Sequence, residues 1–249
     1  MRKFFILSLV PLFVIFLFPS CRTITRKSED IGVLRSTVIF SFDDGPNARD
    51  NTTGRVLDIL KKYKIQGFFC LLGTNAEAYP ELVRRIHDEG HIIINHGYYD
   101  KWARDMGRRE FRDNLMMGEA AITNALGKDL NPKIYRPHGG FYKPWQGKIC
   151  IKNGYTILLS SARAYDAVLD ESGFDKTVSR IVKKIEKNNG GIILLHDARG
   201  DHISMEKQLE KNPHGPFNRS WIPDALEKII ITLMDKGYNL TGELSYLVQ

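Results

Sequence analysis

Residues 37–46, Thr37-Val38-Ile39-Phe40-Ser41-Phe42-Asp43-Asp44-Gly45-Pro46, pass from an apolar β-rich run into two adjacent carboxylates and a turn. Asp, Gly and Pro favour turns, so the stretch reads as a strand that delivers charge to its carboxyl end. Outward from it the same rhythm repeats. Residues 53–63 follow as a helix, with Val56, Ile59, Leu60 and Tyr63 spaced for one face. Residues 67–72 are a short continuous apolar run, which suits a strand buried on both sides. Pro80 opens a helix over 80–89, where its missing N–H costs nothing, and Gly90 closes it. The pattern then predicts strands at 91–95, 134–135, 155–159, 191–195 and 238–241, and helices at 108–126, 175–188 and 223–236. Seven strands alternating with helices predict parallel pairing with right-handed crossovers, in an open sheet or a barrel. The stretch 199–220 breaks the rhythm and reads as a long polar loop, a candidate to fold over a groove.

A chain of 249 residues, 43% hydrophobic and 26% charged, is ordinary globular composition, which excludes a disordered chain or a multi-span membrane protein. Three cysteines cannot build a disulfide scaffold; Cys70, within an apolar strand, and Cys150, in a helix that precedes the strand at 155–159, read as buried thiols. The net charge of +7, less the leader cations Arg2 and Lys3, leaves +5 on residues 21–249. That mild bias suits an anionic cell-surface polymer or plain solubility and gives no argument for nucleic acid. Residues 1–20 read as a bacterial export signal: Arg2 and Lys3 precede an apolar run from Phe4 to Phe18, short of the roughly 20 residues of a bilayer span. Leu17-Phe18-Pro19-Ser20-Cys21 resembles a lipobox, so Cys21 is the expected lipidation site, residues 21–36 a tether, and 37–249 the catalytic domain. The expectation is a membrane-anchored lipoprotein of the cell envelope, monomeric, with a secreted or periplasmic protein as the alternative.

Chemistry in parallel α/β folds collects at the carboxyl ends of strands. Five of the seven predicted strand ends carry ionisable groups: Asp43-Asp44, His96 with Asp100, Arg136 with His138, Arg163 with Asp166, and His196-Asp197. Of two adjacent carboxylates on a turn, one can bind a metal while the other acts as a base. His96 and Asp100, four apart, are placed for one helical turn beside Asp44. Arg136 is placed to pair with the carboxylate that stays off the metal, and His196 with Asp166 forms a positioned acid.

Ser41-Phe42-Asp43-Asp44-Gly45-Pro46 resembles the first motif of the polysaccharide deacetylase family (NodB-homology, carbohydrate esterase family 4). Residues 67–73 and 90–96 are similar to its second strand and second motif. Arg136-Pro137-His138-Gly139-Gly140 is similar to its third, Asp166 to its fourth, and Leu194-Leu195-His196-Asp197 to its fifth. The resemblance implies an α/β fold, a distorted, incomplete (β/α) barrel of about seven parallel strands. It also implies metal-dependent hydrolysis of acetyl groups on N-acetylhexosamine units of a peptidoglycan- or chitin-like polysaccharide or oligosaccharide. Carried over by position, Asp43 is the general base, Asp44 and His96 are metal ligands, and Arg136 orients Asp43. The Gly139 N–H helps hold the oxyanion, Asp166 tunes the acid His196, and Leu194 lines the acetyl pocket.

The chain departs from the family pattern in its second motif, which reads His96-Gly97-Tyr98-Tyr99-Asp100 instead of His-Ser/Thr-x-x-His. Asp100 is the expected third ligand, giving a set harder than Asp-His-His and open to Mn, Fe or Co, with Zn still the first expectation; an exposed Asp100 with a hydrated or His138-assisted site is the competing geometry. Ala167 replaces the usual tryptophan after Asp166, and Arg163 stands where an acid is frequent. Trp102 and Trp145 are candidates for stacking on sugar rings or for packing. Two rivals accompany the deacetylase reading: an O-acetyl sugar esterase at the same site, and a carbohydrate-binding lipoprotein with little catalysis.

Overall fold

The computed structural model describes residues 36–243, so the expected signal, the lipobox cysteine Cys21 and nearly all of the tether lie outside the described residues. In chain order the elements are β1 (Thr37–Asp43), α1 (Thr52–Tyr63), β2 (Gly67–Leu71), α2 (Gly73–Ala78), α3 (Pro80–Asp88), β3 (Ile92–Asn95), α4 (Arg108–Leu126) and β4 (Ile134–Tyr135). They continue with α5 (Pro144–Lys152), β5 (Thr156–Ile157), β6 (Ala162–Arg163), α6 (Phe174–Asn188), β7 (Gly190–His196), α7 (His202–Lys211), α8 (Ile222–Asp235) and β8 (Asn239–Leu240). All strands pair in parallel, in the order β5-β4-β3-β2-β1-β7-β6, and β8 adds to the start of β1. The sheet curls into a half-barrel whose end strands, β5 and β6, do not pair with each other.

Strand alternation sorts the side chains into two layers. Val38, Phe40 and Phe42 of β1, Phe69 and Leu71 of β2, and Ile193 and Leu195 of β7 pack outward against Val56, Leu57 and Leu60 of α1, Ile181 of α6 and Ile229 of α8. The opposite parity, Ile39, Phe68, Cys70, Ile94, Ile134 and Ile192, fills the concave face. Burial of β1 and β2 on both faces accounts for their unbroken apolar runs. Cys70 and Cys150 are buried and free. Among the described residues no helix is long and apolar enough to cross a membrane.

Three elements depart from the sequence reading. The stretch 199–220 is not a structureless loop: α7 occupies its first half, capped by the Asp201 side chain, which accepts from Ser204 N at 2.9 Å. The two-residue strand β6, and the short helix α2, are too brief for hydrophobic periodicity to register.

Candidate active site

The concave parity continues past the apolar residues and decides what faces the mouth. Ile39–Ser41–Asp43 share a face of β1, Ile192–Leu194–His196 a face of β7, and Ile92–Ile94 lead to His96. Register aligns them, since Asp43 stands opposite His196 and Cys70, and Asn95 opposite Leu71 and Tyr135. Asp44 would point outward if β1 ran on. It adopts φ 71° instead, a left-handed conformation uncommon for a residue with a side chain. That turn brings its carboxylate back beside Asp43: Asp43 Oδ2 and Asp44 Oδ1 lie 3.6 and 3.5 Å from His96 Nε2. Asn75 Nδ2 donates to Asp44 O at 2.7 Å and Gly200 N to Asp44 Oδ2 at 3.1 Å, which holds the turn in place.

Asp44, His96 and His138, all buried, are the described side chains whose donor atoms converge, all within 4.8 Å of one another. His96 Nδ1 donates to Arg136 O at 2.6 Å, which leaves the Nε2 lone pair facing Asp44. His138 Nε2 is 3.5 Å from Asp44 Oδ1, and neither ring nitrogen of His138 makes a hydrogen bond although both are buried. Tetrahedral ligands on a zinc-sized ion sit about 3.3 Å apart, so these separations and the unsatisfied nitrogens fit a divalent cation. The electrostatics agree. Burial and the neighbouring His138 push His96 down to about 4. Burial opposes charge on His138 as well, but the carboxylates of Asp44, Asp100 and Asp43 outweigh it and shift His138 upward. Burial alone would raise Asp44; His138, His196 and His96 hold it well below the usual carboxylate range instead.

The third member is a correction. Sequence spacing pointed to Asp100 on a helical turn with His96, but residues 96–102 are not helical, and Gly97 at φ 90° turns the chain. The i, i+4 rule then does not apply. Asp100 lies 3.4 Å from His138 Nε2, with 40% of its side chain exposed, and does not join the grouping of Asp44, His96 and His138. A usable signal was present: Ile134, Arg136 and His138 have one parity, so an extended β4 end carries His138 to the same face as Arg136.

Asp43 is not a member of that grouping, although its Oδ2 lies 3.6 Å from His96 Nε2, and its other oxygen is engaged from the side. Arg136, itself buried, donates through Nη1 to Asp43 Oδ1 at 2.7 Å and to Ser41 Oγ at 2.7 Å. Burial would raise Asp43, yet Arg136 and His96 outweigh it and keep the carboxylate ionised. On the neighbouring strand β7, His196 Nδ1 lies 3.1 Å from Asp166 Oδ1, and His196 N donates to Asp166 Oδ2 at 2.9 Å. Burial opposes protonation of His196, but Asp166 prevails and lifts it to about 9. Asp197 faces away from this work: Thr53 Oγ1 donates to it at 2.5 Å beneath the Asp44-Gly45 turn, and burial raises it to about 7.

Gly139, at φ 72°, rests against the Trp102 indole, which is 49% exposed; a Cβ there would stand 3.4 Å from the ring. Leu194 is half-buried in the concave face between Ser41 and Arg163. Trp145 instead packs on Phe111, centroids 5.8 Å apart, and serves packing. Arg163 leans over Gly140 and donates to Ser160 Oγ at 2.9 Å. Sequence reasoning held His138 only as the alternative to Asp100 and missed two residues altogether, Asn75 and Arg219, a fully buried cation beside Asp166. Nothing in the linear pattern marks the last two, because their partners lie 31 and 53 residues away.

Residues 32–158 match the family model described as polysaccharide deacetylase. A peptidoglycan-N-acetylglucosamine deacetylase of Bacillus cereus is 31% identical over 205 residues, 82% of this chain and 65% of that protein's length, so the chain spans about two thirds of it. A chitooligosaccharide deacetylase of a Bradyrhizobium species is 29% identical over 226 residues, 87% of this chain and 93% of that one. A crystal structure of a peptidoglycan N-acetylglucosamine deacetylase superposes with a TM-score of 0.64 at 29% identity, covering 83% of this chain and 86% of that one. A model match over half the sequence, on a fold shared with that solved structure, makes this chain a member of the polysaccharide deacetylase family.

Proposed function

We propose that this chain hydrolyses the acetamide of N-acetylhexosamine units in a bacterial polysaccharide or oligosaccharide, with a peptidoglycan-type glycan as the first substrate. The observation that carries this reading is the division of labour between adjacent carboxylates. Asp44 joins His96 and His138, while Asp43 pairs with Arg136 and sits beside His196 of the neighbouring strand β7. The donor set of one carboxylate and two imidazoles favours zinc over the harder Mn or Fe. When bound, a divalent cation there supplies Lewis-acid chemistry, acidifying a water and polarising a carbonyl oxygen.

The chain's own residues do the rest. Asp43, ionised and oriented by Arg136, takes the proton of the attacking water. The Gly139 N–H is the protein's donor to the oxyanion that develops on the acetyl group. Leu194 lines the pocket for the acetyl methyl, and the exposed Trp102 offers a sugar ring a stacking face. His196, protonated at neutral pH by its pairing with Asp166, gives its proton to the departing nitrogen. An amine needs that proton to leave far more than an alkoxide does, which supports N- over O-deacetylation. Residues 1–21 support export and lipid attachment at Cys21, tested by loss of fatty-acid labelling in Cys21→Ser.

The test is acetate release by the zinc-loaded protein from a short N-acetylglucosamine oligomer, a peptidoglycan fragment and an O-acetylated xylan, alongside metal content. Release from the N-acetyl substrates in preference to the O-acetyl one is expected. Release from none of them overturns the reading.

A further inference from the structure

The stretch between β7 and α8 contributes more to the cleft than its position suggests. Near its end, Arg219 is entirely buried, as is Asp166. A buried guanidinium is tolerated only when its donors and its charge are matched. Here they are spent on the acid pair. Arg219 Nη2 donates to Asp166 Oδ2 at 2.7 Å and Nη1 to Asp166 O at 3.0 Å, while Nε donates to His196 O at 3.1 Å. Leu169 O and Pro216 O, each 3.3 Å from Nη1, complete the set. One planar fork thus grips both residues of the pair, Asp166 by backbone and carboxylate and His196 by its carbonyl. Asp166 Oδ2 is shared between Arg219 and the His196 N–H, which leaves Oδ1 nearest the imidazole.

We propose that Arg219 is a positioning residue for proton donation: it fixes the Asp166 carboxylate and the His196 backbone in one frame, so that the imidazole presents its other nitrogen to the cleft. The excursion 199–220 is then part of the proton-donating apparatus. The inference rests on the reading of His196 as the acid. Lysine cannot replace Arg219, because a point charge with a tetrahedral ammonium does not reproduce the fork.

Arg219→Lys and Arg219→Gln, zinc-loaded, are compared with the unaltered protein on two probes, an N-acetylglucosamine oligomer and 4-nitrophenyl acetate, whose leaving group needs no proton. The expected result is kcat on the oligomer reduced about 10- to 100-fold with KM unchanged, a share of the full effect of a general acid, while aryl-ester turnover stays within about twofold. Equal losses on both probes, or no loss on either, overturn the proposal. A second measurement does not depend on the variants folding. Nitrogen-15 NMR of the unaltered protein should show separate, slowly exchanging Arg219 guanidinium protons that merge in Asp166→Asn. A single averaged signal in the unaltered protein overturns the proposal. An unaltered protein inactive on the oligomer would sink the deacetylase reading, whereas an active one with unchanged Arg219 variants sinks this inference alone.

Discussion

The two walls of the cleft are built on opposite principles. On one, the facing donor atoms of Asp44, His96, His138 and Asp100 stand 3.4–3.5 Å apart, and both nitrogens of buried His138 go without a hydrogen bond. On the other, His196, Asp166 and Arg219 bond to one another at 2.7–3.1 Å through the protein's own charges and backbone. Burying polar atoms without partners is costly, so the first wall is arranged for a charge supplied from outside, and the second is complete in itself. A metal-supported site and a pre-set proton donor need just that difference.

The largest effect should come from the first wall. His138→Ala or His96→Ala is expected to abolish metal binding and lower turnover by about 10³-fold or more, since the Lewis acid supplies several kcal/mol. Metal analysis and initial rates check this; a His138→Ala protein that kept its metal while Asp100→Ala lost it would return Asp100 to the ligand set. Asp43→Asn sharpens the comparison, because it removes the base beside that wall and leaves the ligands intact. Turnover should fall about 10²- to 10⁴-fold with metal content unchanged. Asp100→Asn, acting through His138, should weaken metal affinity by only about 10- to 100-fold, read by competition with a chelator.

The smallest effect belongs to the second wall and is read as stability. His196 is raised in the folded protein to about 9, above its ordinary 6.5, so its protonation stabilises the fold. The contribution is full below pH 6.5 and disappears as pH rises through about 9. Melting temperature should therefore fall by several degrees between pH 6.5 and 9.5. His196→Gln should remove that part of the slope; an unchanged slope would show that the Asp166–His196 pairing does not control it.

Much of the site was legible because strand parity is a local property. Asp43, His96, Arg136 and His196 each follow an apolar run in step with its concave residues, and parallel pairing sets those runs side by side. Asp100 shows the limit. Its spacing from His96 has meaning only on a helix, and the backbone there is irregular around Gly97. Arg219 and Asn75 were beyond reach for another reason: each matters through hydrogen bonds to segments distant along the chain, and neither lies in a periodic run.

The sequence by itself determined the alternation of buried strands and amphipathic helices, the face on which the strand-end charges emerge, and their order around the sheet. Periodicity of two and continuous apolar runs carry that information residue by residue. Only the tertiary structure decided that His138 and not Asp100 completes the grouping with Asp44 and His96, and that Arg219 secures the acid. Those choices depend on how loops from separate strands close on one another, a matter of distance in space that spacing along the chain does not encode.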